Sequence, residues 1–254
     1  MKAQASSISG FTVRLLGTPA EESGGGKVKL IEAGAYKGVD ACLMVHPVPM
    51  IPGKPDLHCM ATVQEGGFLA NDKVKVTFTG KPAHAAAAPW EGINALDAVV
   101  SAYVNISMLR QQILPSQKVH GVIVNGGDRP NVIPMTATVD YYIRSPTIKT
   151  LKPLTEKVIK CFEAAATATG CKVDYSWYVK NHPIRRLNGD SWCIFRGISY
   201  ADLKTNVPIC ESYVSAMRSM GYHTIFDNSD QKGALAGGST DMGAFLCFHV
   251  QNME

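Results

Sequence analysis

No two of the chain's cysteines stand in a C-x-x-C pair, and their number, seven, is odd. That excludes a structural zinc knot and argues against a disulfide frame, so they read as reduced thiols. Charge is sparse as well: 18% of the residues are Asp, Glu, Lys or Arg, and the net charge is +4 with the basic residues scattered. Without a basic run interleaved with aromatics, nucleic acid is not an expected partner. No apolar stretch approaches the ~20 residues of a membrane span, and Met1 to Gly10 lacks the apolar core of a secretory signal. The expectation is a cytoplasmic protein with no membrane partner, in which the sequon Asn105-Ile106-Ser107 carries no meaning.

What is present is an ordinary globular composition, 46% hydrophobic over 254 residues, enough for one large domain or two small ones. The most informative stretch runs from Gly17 to Lys27, where Glu21 and Glu22 lie between a strand-like run (Phe11 to Leu16) and a glycine-rich turn. Open α/β sheets carry their ligands at strand C-terminal ends. Two adjacent carboxylates repel when both are ionised, so their natural occupant is a cation or a shared proton. Taken alone, the pair reads more readily as a solvated acidic turn. A second apolar run, Asp40 to His46, ends in an imidazole, which suits zinc. Gly24-Gly25-Gly26-Lys27 is not a phosphate loop, because Val28 stands where that loop needs Ser or Thr.

From Asn71 onward the periodicity alternates clearly. Lys73 to Thr79, Lys118 to Asn125, Met135 to Arg144 and Cys171 to Val179 read as strands. Trp90 to Gln112 and Thr150 to Thr169 read as helices, the first from the spacing of Ile93, Leu96, Val99, Val100, Tyr103, Val104 and Met108, the second stopped by Gly170. The order β-α-β-β-α-β is the ferredoxin-like split motif, and it predicts a four-stranded antiparallel sheet with both helices on one face. Flanking it, residues 1–70 supply short strands and a helix from Lys27 to Ala33, and residues 183–254 supply a helix from Glu211 to Met220. The fold class expected is α/β: one discontinuous domain (1–70 and 183–254) interrupted by an inserted unit (71–182).

Four blocks carry a family resemblance: Gly17-Thr18-Pro19-Ala20-Glu21-Glu22, His46 at its strand end, Gly80-Lys81-Pro82-Ala83-His84 with Pro89, and Gly126-Gly127-Asp128-Arg129-Pro130-Asn131-Val132-Ile133-Pro134 ending in Tyr142-Ile143-Arg144. In this order and spacing they resemble the zinc metallopeptidases that include aminoacylases, bacterial amidohydrolases and carnosinases. The wording looks most like the Xaa-Arg dipeptidase (β-alanyl-lysine dipeptidase) branch. The resemblance covers residues 11–182 well and 183–243 loosely.

It implies a zinc-binding catalytic domain from the flanks and a lid from the insert, which dimerises. It implies hydrolysis of dipeptides with a basic C-terminal residue, or alternatively of N-acyl amino acids. The roles it implies are Glu21 as general base, Glu22 and His46 as zinc ligands, and His84 as oxyanion partner reaching from a second subunit. Asn131 and Arg144 would hold the substrate carboxylate, with His84, Asn131 and Arg144 clustered on the lid. Chemistry is compatible with each role: arginine's fork matches a carboxylate, and an imidazole N–H suits an oxyanion. Duller readings remain for the same residues, namely a backbone-satisfied His84, a turn Asn131 and a structural Arg144. His58, His182, His223 and His249 read as structural or surface residues, and so does His120, although it is the one of that kind placed to approach a substrate.

The family also has two ligands upstream, in a Cys-Gly-His type motif. None of the residues before Glu21 is Cys, His or Asp. The expectation from this is a fragment, a splice form or an incomplete gene model, binding zinc poorly and impaired in catalysis, with a chain acting only through lid dimerisation as the alternative.

Overall fold

Alternating apolar and polar residues form a sheet only where each strand finds a partner for its backbone groups. The structure, a computed structural model, describes residues 10, 12–19, 25–44, 59–62, 68–177, 200 and 206–227. In chain order these form α1 (Gly26–Glu32), β1 (Cys59–Thr62), β2 (Ala70–Thr79), α2 (Ala95–Leu109), β3 (Lys118–Asn125), β4 (Thr136–Ser145), α3 (Ile148–Thr169), β5 (Lys172–Trp177), α4 (Val207–Ser219) and β6 (Thr224–Asp227). None of the described helices is long and apolar enough to cross a membrane.

β2 to β5 make one antiparallel sheet in the order β3-β4-β2-β5. With α2 after the first strand and α3 after the third, this is the ferredoxin-like order expected. Val74, Val76, Phe78, Val139, Tyr141 and Ile143 alternate with less buried residues and face the core. The helices cover that face with Ala95, Ala98, Val99, Ala102 and Ile106 from α2 and Leu151, Leu154, Val158, Phe162 and Ala165 from α3. Thr147 closes a capping box with Thr150 at the start of α3, and Gly170, at φ 74°, ends it. Gly121 lets β3 lie against β4, since a Cβ there would come within 2.5 Å of the Tyr141 ring.

Two features differ from the sequence reading. The predicted helix from Trp90 begins only at Ala95, because Ile93 pairs its backbone with Lys81 and Asn94 caps the helix, accepting from the N–H groups of Leu96 and Asp97. The face of α2 carrying Val100, Tyr103, Val104 and Met108 points outward, 42 to 63% exposed; the buried stripe is mostly alanine.

β1 and β6, from opposite flanks of the chain, pair in parallel, and α4 packs on both. Residues 12–16 and 40–44, expected as strands, carry no strand ladder, and Leu15 and Leu43 are exposed. Arg14 instead donates to the carbonyls of Ala35 and Lys37, holding this segment against the turn after α1.

Candidate active site

The loop after β2 is closed by paired hydrogen bonds between Lys81 and Ile93, both 2.9 Å, so residues 82–92 form a bounded excursion. The connection before β4 is zipped to it. Ala85 N–H donates to the Asn131 carbonyl and Ile133 N–H to the Ala83 carbonyl, both at 2.9 Å, with His84 facing Val132 in a bridge. Two residues far apart in sequence, His84 and Asn131, are thus neighbours, both exposed. The His84 ring is oriented by its own loop: Nδ1 accepts the backbone N–H of Ala86 and of Ala87, each at 3.2 Å. An accepting Nδ1 carries no proton, so the neutral ring has its hydrogen on Nε2 and donates from there. Beside Asn131, a cavity of about 340 Å³ is lined by Asn94, Leu96, Asp128, Arg129 and Pro134 among others. Gly127, at φ 111°, shapes the loop's turn, and its N–H bonds the Asn125 side chain.

Arg144 is not in this cluster. The antiparallel register sets Thr136 opposite Thr79 at one end of the sheet and Arg144 opposite Asn71 at the other. Eight strand residues at about 3.4 Å each separate the two ends by about 27 Å. The expectation that His84, Asn131 and Arg144 cluster in one chain is therefore corrected: thirteen positions of sequence, mostly extended strand, are a long way. Arg144 sits among other groups, its guanidinium carbon 5.9 Å from the centre of the Tyr142 ring. Lys73 Nζ lies 5.1 Å from the same ring and 5.0 Å from that of Tyr200. His120 packs its ring 5.8 Å from Tyr142. Burial, and then the nearby Arg144 charge, push the His120 pKa down, so its ring favours the neutral form.

Lys73 and Tyr200 had no motif to single them out, and Tyr142 entered only as a neighbour of Arg144 in its block. The period-2 alternation of β2 does put Lys73 on the face away from the helices, but only the register brings it to Tyr142.

Glu21, Glu22 and His46 lie outside the described residues, as do His58, His182 and His249. Among the described residues no three of His, Cys, Asp and Glu come together to hold a metal ion.

Three comparisons bear on what this arrangement belongs to. Residues 71–169 match the family model of the M20 peptidase dimerisation domain, within the expected insert. The Xaa-Arg dipeptidase of Mus musculus is 40% identical over 234 residues, 91% of this chain and 46% of that protein. Its Homo sapiens counterpart is 39% identical over the same shares. The chain therefore spans less than half the length of these relatives. Among solved structures, a dinuclear metal-binding peptidase of the M20 family from Bacillus subtilis superposes with a TM-score of 0.53 at 20% identity, over 91% of this chain and 51% of that one, a likeness of fold. Residues 71–169 are an M20 peptidase dimerisation domain, and the chain belongs to the M20 family as a homologue of the Xaa-Arg dipeptidases.

Proposed function

We propose that the chain serves the hydrolysis of the amide bond of dipeptides, with a basic C-terminal residue of the β-alanyl-lysine type preferred. The observation that carries this reading is His84. Its Nδ1 is engaged by two backbone N–H groups, leaving Nε2–H as a fixed donor next to Asn131. A donor held in place before charge develops on a carbonyl oxygen is what stabilises an oxyanion. The relatives named Xaa-Arg dipeptidase support the substrate class.

In this reading Arg144 takes the substrate carboxylate through its two-pronged guanidinium. Glu21 takes the proton of the attacking water, and Glu22 and His46 are the zinc ligands. Bound zinc supplies Lewis acidity and an activated water. The domain division is 1–70 with 183–254 for the catalytic part and 71–182 for the lid.

The separation of His84 from Arg144 calls for a second copy, so that His84 and Asn131 of one chain complete the site holding Arg144 of the other. The outward face of α2 and the edge strand β3 suit such a partner. Val122, Ile123 and Val124 are 62, 46 and 54% exposed on an edge whose backbone is open to pairing. A C2 dimer makes each such patch its own complement.

The test is complementation in a version extended to the length of its relatives, with zinc present and β-alanyl-lysine as substrate. His84→Ala and Arg144→Met, each inactive alone, are expected to recover about one quarter of wild-type turnover when mixed, because half the dimers are mixed and each has one intact site. Recovery of nothing above the separate variants refutes the composite site. In a version extended to the length of its relatives, Glu21→Gln is expected to abolish turnover with zinc content unchanged. Preference for N-acyl amino acids over dipeptides would overturn the substrate class.

A further inference from the structure

We propose that the cavity between the start of α2 and the 126–134 loop is a binding site for a free α-amino acid with an aliphatic side chain, held as a zwitterion by Asp128 and Arg129. The cavity, about 340 Å³, is at the small end of the range for ligand sites. Its walls come from two places in the chain, Asn94 and Leu96 at the start of α2 and the connection from Gly126 to Pro134. His84 and Asn131 are not among its lining residues. Backbone bonds fix the walls. Ala95 N–H donates to the Pro134 carbonyl at 3.1 Å, Val132 N–H to the Arg129 carbonyl at 3.2 Å, and Gly127 N–H to the Asn125 side chain at 3.0 Å. The loop lies so close that a Cβ on Gly126 would stand 3.2 Å from Leu96, and one on Gly127 2.7 Å from Pro134. A cavity held in this way exists before its ligand arrives, which lowers the ordering cost of binding.

The chemistry of the lining names the ligand class. Asp128 and Arg129 both line this one cavity, and both are exposed. Among the described residues neither side chain has a hydrogen bond or an ion pair. Two opposite charges that share a cavity without pairing give one anchor for an ammonium and one for a carboxylate. The arginine fork matches the carboxylate, and the aspartate accepts from the ammonium. Asn94 Oδ1 is already committed to the N–H groups of Leu96 and Asp97, so what remains of its amide is a donor, suited to the carboxylate. The positive end of α2 lies at the same wall and favours the same group. Leu96, Ile133 and Pro134, all half-buried, supply apolar surface for an aliphatic side chain. A ligand with one charge leaves one of the two ions unanswered; a zwitterion answers both. Amino acids are also what the hydrolysis of dipeptides releases, but the inference stands apart from that reaction, because binding here needs neither turnover nor a second copy.

The experiment titrates the full chain with L-leucine, L-leucinamide and N-acetyl-L-leucine, following the backbone amides of Gly126 and Gly127 by NMR. At about pH 6 the free amines carry their charge, so the amide lacks only the carboxylate and the acetyl compound only the ammonium. The wild type is expected to bind leucine about 5-fold more tightly than either analogue, an exposed ion pair being worth up to about that factor. Arg129→Gln should weaken leucine about 5-fold without weakening leucinamide. Asp128→Asn should weaken leucine about 5-fold without weakening N-acetyl-leucine. Both substitutions change exposed side chains and leave the backbone bonds of the walls in place. A variant that weakens all three ligands together acts through the shape of the loop, and overturns the charge assignment. Leucine bound no more tightly than its analogues, or bound equally by the variants and the wild type, refutes the zwitterion site, and so does the absence of any shift at Gly126 and Gly127.

Discussion

Phe162 is the side chain on which the lid's core turns, and its removal gives a measurable test of that core. It is fully buried on α3. Its ring meets Tyr141 of β4 edge-on at 5.5 Å, Tyr175 of β5 at 6.2 Å, and Phe78 of β2 at 6.4 Å. One residue therefore touches three adjacent strands of the sheet. Truncating a buried phenylalanine costs about 3–5 kcal/mol from lost transfer energy and the cavity left behind, and the edge-on contacts place this site toward the upper part of that range. Domains of this size have about 5–15 kcal/mol in total. Phe162→Ala should accordingly lower the melting temperature by roughly 15–40 °C, at about 4–8 °C per kcal/mol. Phe162→Leu, which keeps most of the volume, should cost less than about 1.5 kcal/mol. Urea unfolding followed by near-ultraviolet circular dichroism reads both through the tyrosines packed on Phe162. A loss below about 1 kcal/mol for the alanine variant would mean that the three strands are not held through this ring, and the account of the core would be wrong.

Other expectations concern charge, close approach and assembly. Burial, chiefly, raises the Tyr141 pKa to about 12, so the folded state holds this proton more tightly than the unfolded chain. The associated stability, about 2–3 kcal/mol, is fully present below pH ~10 and lost as pH rises toward 12; urea midpoints across that window should fall in the wild type and fall less in Tyr141→Phe. The same substitution should cost little at neutral pH, because the Tyr141 hydroxyl is buried without a hydrogen-bond partner. Gly121→Val should cost about 1–3 kcal/mol of overpacking, since its Cβ would lie 2.6 Å from the Asp140 carbonyl oxygen as well as against Tyr141; an unchanged melting temperature would refute the close approach of β3 to β4. Val104→Glu with Val122→Lys should shift sedimentation from dimer to monomer with unchanged circular dichroism, and a persistent dimer would place the interface elsewhere.

The inserted unit was legible because its signals are local. Period-2 runs marked all four strands of its sheet to within a few residues, and Gly170 marked the end of α3. Two things misled, and both depend on partners the pattern does not name. Apolar periodicity says that a helix has an apolar face but not what covers it; in α2 small alanines fill the tight space over the sheet, while Val100, Tyr103, Val104 and Met108 look outward. The runs before Glu21 and before His46 have strand-like composition, yet a strand exists only through its ladder, and residues 12–16 and 40–44 have none.

The site divides along the same line. Motif resemblance proposed His84, Asn131 and Arg144 as residue types but could not measure between them. The backbone bridge joining loops 81–93 and 126–134 brings the first two together. The length of β4 carries the third away. Once the register is known, the sheet acts as a ruler: one end presents an imidazole donor and an amide, the other two cations around Tyr142, and the connections to both flanks leave from that second end, at Ala70 and Trp177. A substrate a few residues long cannot span about 27 Å of strand, so both ends serve one reaction only if two copies of the sheet are arranged so that unlike ends meet. In the proposed reading, the dimerisation domain and the two half-sites are then a single requirement of the geometry. The outward apolar face of α2, which made no sense as core, is the surface through which that requirement can be met.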